Sequence, residues 1–91
     1  MSRRRVVVTG MGMVTPVGNT VEDAWRNILA GKSGAANIDH FDVSAYSTRF
    51  SASVKDFDYA PYLTPKEARK LDTFVQFGMV AGIQAIADAG L

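Results

Sequence analysis

The chain has 91 residues, of which 47% are hydrophobic and 21% are charged, a composition that argues against disorder and fits one small domain. The formal net charge of +1 provides no general attraction to nucleic acid or to a membrane, and the lack of cysteine excludes disulfides and a cysteine nucleophile within these residues. No apolar run approaches the roughly 18 residues of a membrane span, and no signal-peptide core follows the opening residues, so we expect a cytoplasmic protein.

Three consecutive β-branched residues, Val6–Val8, follow three arginines and precede a segment that contains Gly10 and Gly12. No polar residue alternates with the valines, so the run predicts a strand covered on both faces, as in a parallel sheet between helical layers. A Gly-x-Gly after a strand also admits a dinucleotide-binding interpretation, but the third position of that fingerprint is Thr15, and Pro16 follows where a helix should begin. We therefore expect a tight turn at the exit of the strand.

The next element is a helix that begins at Val21. Thr20 is a suitable N-cap, and acidic residues in the first turn complement the positive end of the helix. Gly31 follows the apolar pattern, where a C-terminal glycine is common. One apolar stripe at helical spacing predicts the buried face, with Trp25 in the core; its members are Val21, Ala24, Trp25, Ile28 and Leu29.

Residues 32–63 are less regular and rich in turn-forming residues. Within them, Phe50, Ala52 and Val54 alternate with polar residues, which predicts a short, half-exposed strand. His40 is the only imidazole in the chain, and no nucleophile in a catalytic setting accompanies it. We expect it to be a surface or structural residue.

A second helix is predicted from Pro65 to Ala89. Thr64 is its N-cap, Pro65 takes the first helical position, and Glu67 completes a capping box. Gly90 then ends the helical pattern.

The C-terminal half of this helix is apolar on both faces, from Phe77 to Ala87, which is typical of a helix buried all round. Gly78 and Gly82, four residues apart, would let another helix approach closely. We expect this helix, like the valine strand, to need more covering surface than 91 residues provide.

Six segments, in order along the chain, resemble the N-terminal part of the β-ketoacyl-acyl-carrier-protein synthases, most closely the elongating type II of fatty acid synthesis. They are Arg4–Gly12, Thr15–Gly18, Leu29–Gly34, Ile38–Asp42, Ser44–Tyr46 and Lys66–Asp72. The resemblance implies a thiolase-like, layered α/β/α/β/α fold, of which residues 1–91 would be the opening part of the N-terminal domain. It also implies a homodimer when the protein is full-length.

The implied chemistry is fatty acid chain elongation by a decarboxylative Claisen condensation of acyl and malonyl thioesters. In the family, a cysteine accepts the acyl group from acyl carrier protein, and two histidines assist decarboxylation of the malonyl thioester. None of the three has a counterpart in these 91 residues, so we expect the chain to be inert on its own. We identify no catalytic, cofactor-binding or metal-binding residue in it, and expect neither nucleic acid nor membrane as a partner.

The candidate binding residues are Lys66, Arg69 and Lys70, which helical spacing places on one face. Spacing alone favours a solvated, charged surface. The resemblance implies that these residues dock acyl carrier protein, which is acidic. Two other functions stay open: a non-catalytic, ketosynthase-like partner such as a chain-length factor, and a small carrier-protein-binding module.

Overall fold

The computed structural model describes residues 3–91, and the first two residues lie outside the described part. The chain divides into two compact units. The first consists of the N-terminal segment up to Met13 together with Tyr59–Leu91, and the second is Val14–Asp58. The expectation that the whole chain forms the opening part of one domain stays a prediction.

The second unit contains helix α1, Val21–Leu29. The Thr20 hydroxyl accepts a hydrogen bond from the backbone N–H of Asp23 at 3.2 Å, so the predicted N-cap is confirmed. The helix ends before Gly31, whose φ of 72° lies in the left-handed region that glycine adopts without strain. The start and end of α1 are therefore encoded locally.

The apolar stripe of α1 is only partly covered. Ala24 is fully buried, but Trp25 is 59% exposed and Ile28 is also exposed. The prediction that Trp25 lies in the core is wrong for this structure, because the described residues leave more than half of its surface exposed.

Two short strands follow α1: β1, Ala35–Asn37, and β2, Phe50–Ala52. They pair antiparallel, with Ala36 opposite Ser51. The short, half-exposed strand predicted around Phe50 is confirmed, although it ends at Ala52 and does not reach Val54. Within it, Ser51 is half-buried and Phe50 is exposed.

The first unit contains helix α2, Pro65–Ala68, and helix α3, Thr73–Ala89. The single helix predicted across this region is therefore wrong. The Lys70 N–H bonds to the Glu67 carbonyl three residues back, which tightens the last turn of α2. Asp72 then adopts extended backbone angles, φ −64° and ψ 157°, as the N-cap of α3. The Asp72 side chain makes no capping hydrogen bond, so the break lies in the extended backbone at this residue, which the apolar spacing did not indicate.

Gly10 and Gly12 lie against the backbone of α3. A Cβ atom on Gly10 would stand 2.3 Å from the Ala85 carbonyl oxygen, and one on Gly12 would stand 1.9 Å from the Ala81 carbonyl oxygen. The predicted tight turn at these glycines is wrong: the turn lies further on, where Thr15 and Gly18 exchange backbone hydrogen bonds. The two glycines serve close packing on a helix, and not the cradling of a pyrophosphate.

Residues 10–13, which we call the glycine segment, are held in place by two side chains of α3. The Met11 N–H donates to an Asp88 carboxylate oxygen at 3.0 Å, and the Met13 N–H donates to the Gln84 amide oxygen at 3.0 Å. The Gln84 amide nitrogen in turn donates to the Tyr62 hydroxyl at 3.3 Å. The bonds from Met11 and Met13 satisfy backbone N–H groups that have no strand partner.

The valine run does not form the predicted strand within residues 3–91. Val6–Val8 pair with no other strand, and all three side chains are exposed, Val6 by 93%. A strand of this composition requires neighbours on both edges and layers on both faces, and the described residues supply neither.

Helix α3 is apolar all round, as predicted, but only Val80 is fully buried. Phe74 is 73% exposed, and a Cβ atom on Gly78 or Gly82 would have nothing within 4 Å. The predicted close approach at these glycines is thus not made by the described residues. Within residues 3–91, no helix is both long and apolar enough to cross a membrane.

The exposed apolar side chains predict that the isolated 91-residue polypeptide binds a hydrophobic fluorescent dye, because dyes of this kind report uncovered apolar surface. Replacing Phe74, Met79 and Ile86, all exposed on α3, with serine should reduce dye fluorescence. Dye binding that is absent from the wild-type polypeptide, or unchanged in the triple variant, would contradict this prediction.

Candidate functional site

The candidate binding residues lie on and just after α2, which is a single helical turn. The Thr64 hydroxyl accepts a hydrogen bond from the Glu67 N–H, and a Glu67 carboxylate oxygen accepts one from the Thr64 N–H, both at 3.1 Å. Pro65 occupies the first helical position, where its missing N–H costs nothing. The predicted capping box is confirmed, and it fixes the start of the turn.

Three cationic residues lie within five positions of one another along this turn. Lys66 is within α2, Arg69 is its C-cap residue, and Lys70 follows. The Arg69 N–H still bonds to the Pro65 carbonyl at 3.0 Å, so the chain keeps helical geometry up to that point. All three residues are exposed, and together they form what we call the basic patch.

The opposite side of the turn is anchored in the first unit. Leu63 and Ala68 are buried, each only 4% exposed. The Gln76 side-chain nitrogen, on α3, donates to the Ala68 carbonyl at 3.0 Å and to the Leu71 carbonyl at 3.3 Å. The turn that carries the basic patch is therefore held by the buried side chains of Leu63 and Ala68, and its C-terminal end is held by the Gln76 amide.

The cations of the basic patch are free of carboxylate partners among the described residues. In that part of the chain, the ion pairs are those of Arg26 with Glu22 and Asp23, along α1. The neighbouring acid, Glu67, is engaged by the capping box, and the Thr64 backbone N–H, with a further contribution from the Thr64 side chain, lowers the pKa of its carboxyl. The patch can thus offer its positive charge to an anionic surface.

Lys55 is a residue whose role the sequence did not reveal. Its ammonium donates to three backbone carbonyls, those of Gly34 at 2.8 Å, Ser53 at 3.1 Å and Pro16 at 3.2 Å. An ammonium has three protons, and all three are used here, so Lys55 ties together separate segments of the second unit and is not available as a ligand-binding cation. The alternating pattern around it predicted only a polar position on a strand.

His40 is exposed, as expected, and its ring lies edge-on to Phe41 with centroids 4.8 Å apart. Nearby, the Ser44 N–H donates to Asp42 at 3.0 Å, and this bond, with a contribution from the Ser44 hydroxyl, lowers the pKa of the Asp42 carboxyl. The described residues bring together no cluster of three histidine or acidic side chains that could hold a metal ion.

Comparison with known proteins identifies a family. The profile described as "Beta-ketoacyl synthase, N-terminal domain" matches residues 3–91. A 3-oxoacyl-[acyl-carrier-protein] synthase 2 of Vibrio harveyi is 60% identical over all 91 residues, and one of Coxiella burnetii is 52% identical over the same length. The chain covers 22% of the length of each relative.

A solved structure gives the same result for the fold. The chain is similar to the ishigamide ketosynthase/chain length factor with a TM-score of 0.84 and 32% sequence identity, over 99% of this chain and 22% of that one. The predicted resemblance and the thiolase-like α/β fold are therefore confirmed.

The capping box predicts a pH dependence of stability. Because hydrogen bonds lower the pKa of Glu67 in the folded state, its contribution is complete above the pKa of an unfolded glutamate, about 4.3, and is lost as the pH falls through the folded-state value. Glu67→Gln keeps a side-chain acceptor but does not titrate. The free energies of unfolding of wild type and variant should thus converge below about pH 4.3; curves that stay parallel from pH 7 to pH 3 would contradict the assignment.

Proposed function

The chain belongs to the β-ketoacyl synthase family, and from this membership we propose that the full-length protein is a type II β-ketoacyl-acyl-carrier-protein synthase. It would extend a fatty acyl chain through decarboxylative condensation of acyl and malonyl thioesters, as a cytoplasmic homodimer. The observation that carries the proposal is the 60% identity to a 3-oxoacyl-[acyl-carrier-protein] synthase 2 over every residue of the chain. The nucleophilic cysteine and the pair of histidines of the reaction would lie outside these residues, which contain no cysteine and a single histidine.

A non-catalytic, ketosynthase-like partner is the second candidate, because the structural neighbour's name includes a chain length factor. Its 32% identity lies well below the 60% found for the synthase, which favours the enzyme. A cysteine at the nucleophile position of the full-length protein would decide for the enzyme, and its absence would decide for the partner.

We further propose that the basic patch docks acyl carrier protein. The names of the relatives, 3-oxoacyl-[acyl-carrier-protein] synthase 2, include acyl carrier protein. Lys66, Arg69 and Lys70 are exposed and free of carboxylate partners among the described residues, so binding an acidic partner there breaks no existing ion pair. Charges on the rim of such an interface act mainly by steering the encounter.

Reversing the basic patch, with Lys66, Arg69 and Lys70 all changed to Glu, should raise the KM of the full-length enzyme for carrier-protein thioesters. Exposed pairs contribute about 0.2–1 kcal/mol each, so three correspond to roughly a threefold to 150-fold change. The effect should diminish at high salt, because exposed charges are screened. Steady-state kinetics at two salt concentrations measure both expectations.

Small pantetheine thioesters provide the internal control, because they lack the carrier-protein surface. The KM of the reversed-patch variant for these thioesters should equal that of the wild type. Lys32→Glu, compared with the single variant Lys66→Glu, is a matched control, since Lys32 is also exposed and lies outside the patch. If both substrate types slow equally, or if Lys32→Glu matches Lys66→Glu, the patch is a solvated surface and not a docking site.

A further inference from the structure

The backbone of Arg69 and Lys70 is bound to α2 by two hydrogen bonds, to the carbonyls of Pro65 at 3.0 Å and Glu67 at 3.1 Å, but α2 itself is short. A helix of one turn has almost no cooperative stability of its own, since nucleation is unfavourable and the helix has no length over which to recover that cost. The capping box fixes the start of the turn at Thr64 and Glu67. The two cations lie at the other end, where the last carbonyls of a helix have no partner within it.

The Ala68 carbonyl accepts one backbone hydrogen bond, from the Leu71 N–H at 3.2 Å, and one side chain adds further bonds at this end. The Gln76 nitrogen donates to the carbonyls of Ala68 and Leu71, the residues immediately before and immediately after the pair Arg69 and Lys70. A side-chain amide has two N–H donors, which matches the two carbonyls. The Ala68–Arg69 and Leu71–Asp72 peptide groups, one before and one after the two cations, are thereby bound to the same nitrogen.

Gln76 is itself in a fixed position. It is the fourth residue of α3, it is half-buried, and its backbone N–H bonds to the carbonyl of Asp72, the N-cap, at 3.0 Å. A donor on the first turn of the 17-residue helix α3 is held more rigidly than a group on the single turn of α2, because the longer helix has more hydrogen bonds of its own.

We propose that Gln76 is a positioning residue for the basic patch, because its amide holds the two carbonyls that bracket Arg69 and Lys70. The proposal rests on the docking function proposed above. Gln76 makes no contact with the carrier protein in this account; it sets the direction in which two of the three cations point.

The test is Gln76→Met in the full-length enzyme, which keeps the length of the side chain but removes both donors. The KM for carrier-protein thioesters at low salt should rise about twofold to thirtyfold, the range for two misplaced exposed pairs. The KM for pantetheine thioesters and the kcat should stay at wild-type values, and the rise should shrink at high salt.

Gln84→Met is the matched control. Gln84 lies on the same helix, and its amide hydrogen-bonds to Tyr62 and Met13, so the same substitution removes side-chain amide bonds away from the cations. A rise in the carrier-protein KM that is equal in the two variants, or no rise in Gln76→Met, overturns the proposal. A selective rise in Gln76→Met alone supports it.

Two further variants keep the outcomes distinct. Gln76→His retains one ring N–H donor and should give an intermediate KM; if Gln76→Met does not fold, a wild-type carrier-protein KM in Gln76→His overturns the proposal. The reversed patch is measured in parallel. If reversing the patch raises the KM for carrier-protein and pantetheine thioesters equally, the proposed docking function is wrong. If reversing the patch raises only the carrier-protein KM, but Gln76→Met does not, only the proposed role of Gln76 is wrong.

Discussion

The first unit depends on the close contact between the glycine segment and α3. Hydrogen bonds from Met11 and Met13 reach Asp88 and Gln84, which are one helical turn apart. Two residues of extended chain span about 6.6 Å and four residues of helix rise about 6 Å, so the two spacings match. The segment can lie this close to α3 only because Gly10 and Gly12 have no Cβ atom that would collide with the helix backbone.

The same helix also organises the candidate site. Gln76, Gln84 and Asp88 are eight and four residues apart, which places them on one side of α3. One of them holds the turn that carries the basic patch, and the other two hold the glycine segment. An otherwise apolar helix thus uses its few polar side chains to satisfy backbone groups of segments that have no regular partner.

Features encoded within a few residues could be predicted from the sequence: the caps at Thr20 and Thr64, and the glycine that ends each longer helix. Features that depend on distant residues could not. Helical spacing did not separate α2 from α3, because the apolar pattern continues through the N-cap at Asp72. The exposure of the three cations agrees with their spacing, and their docking role stays a proposal from the resemblance; Gln76, which bonds to the carbonyls on either side of two of them, carries no local signal. Helical periodicity identifies the apolar face of α1, but it does not determine whether other residues cover that face, so the exposure of Trp25 could not be predicted.

Amide hydrogen exchange in the 91-residue polypeptide tests the central contact most directly. The amides of Met11 and Met13 donate to α3, whereas those of Val7 and Val8 have no acceptor among the described residues, so the methionine amides should exchange at least about tenfold more slowly. Gly12→Ala should abolish this difference, while Gly82→Ala, where a Cβ meets nothing within 4 Å, should preserve it. Protection that survives Gly12→Ala, or that is absent from the wild-type polypeptide, would contradict the account.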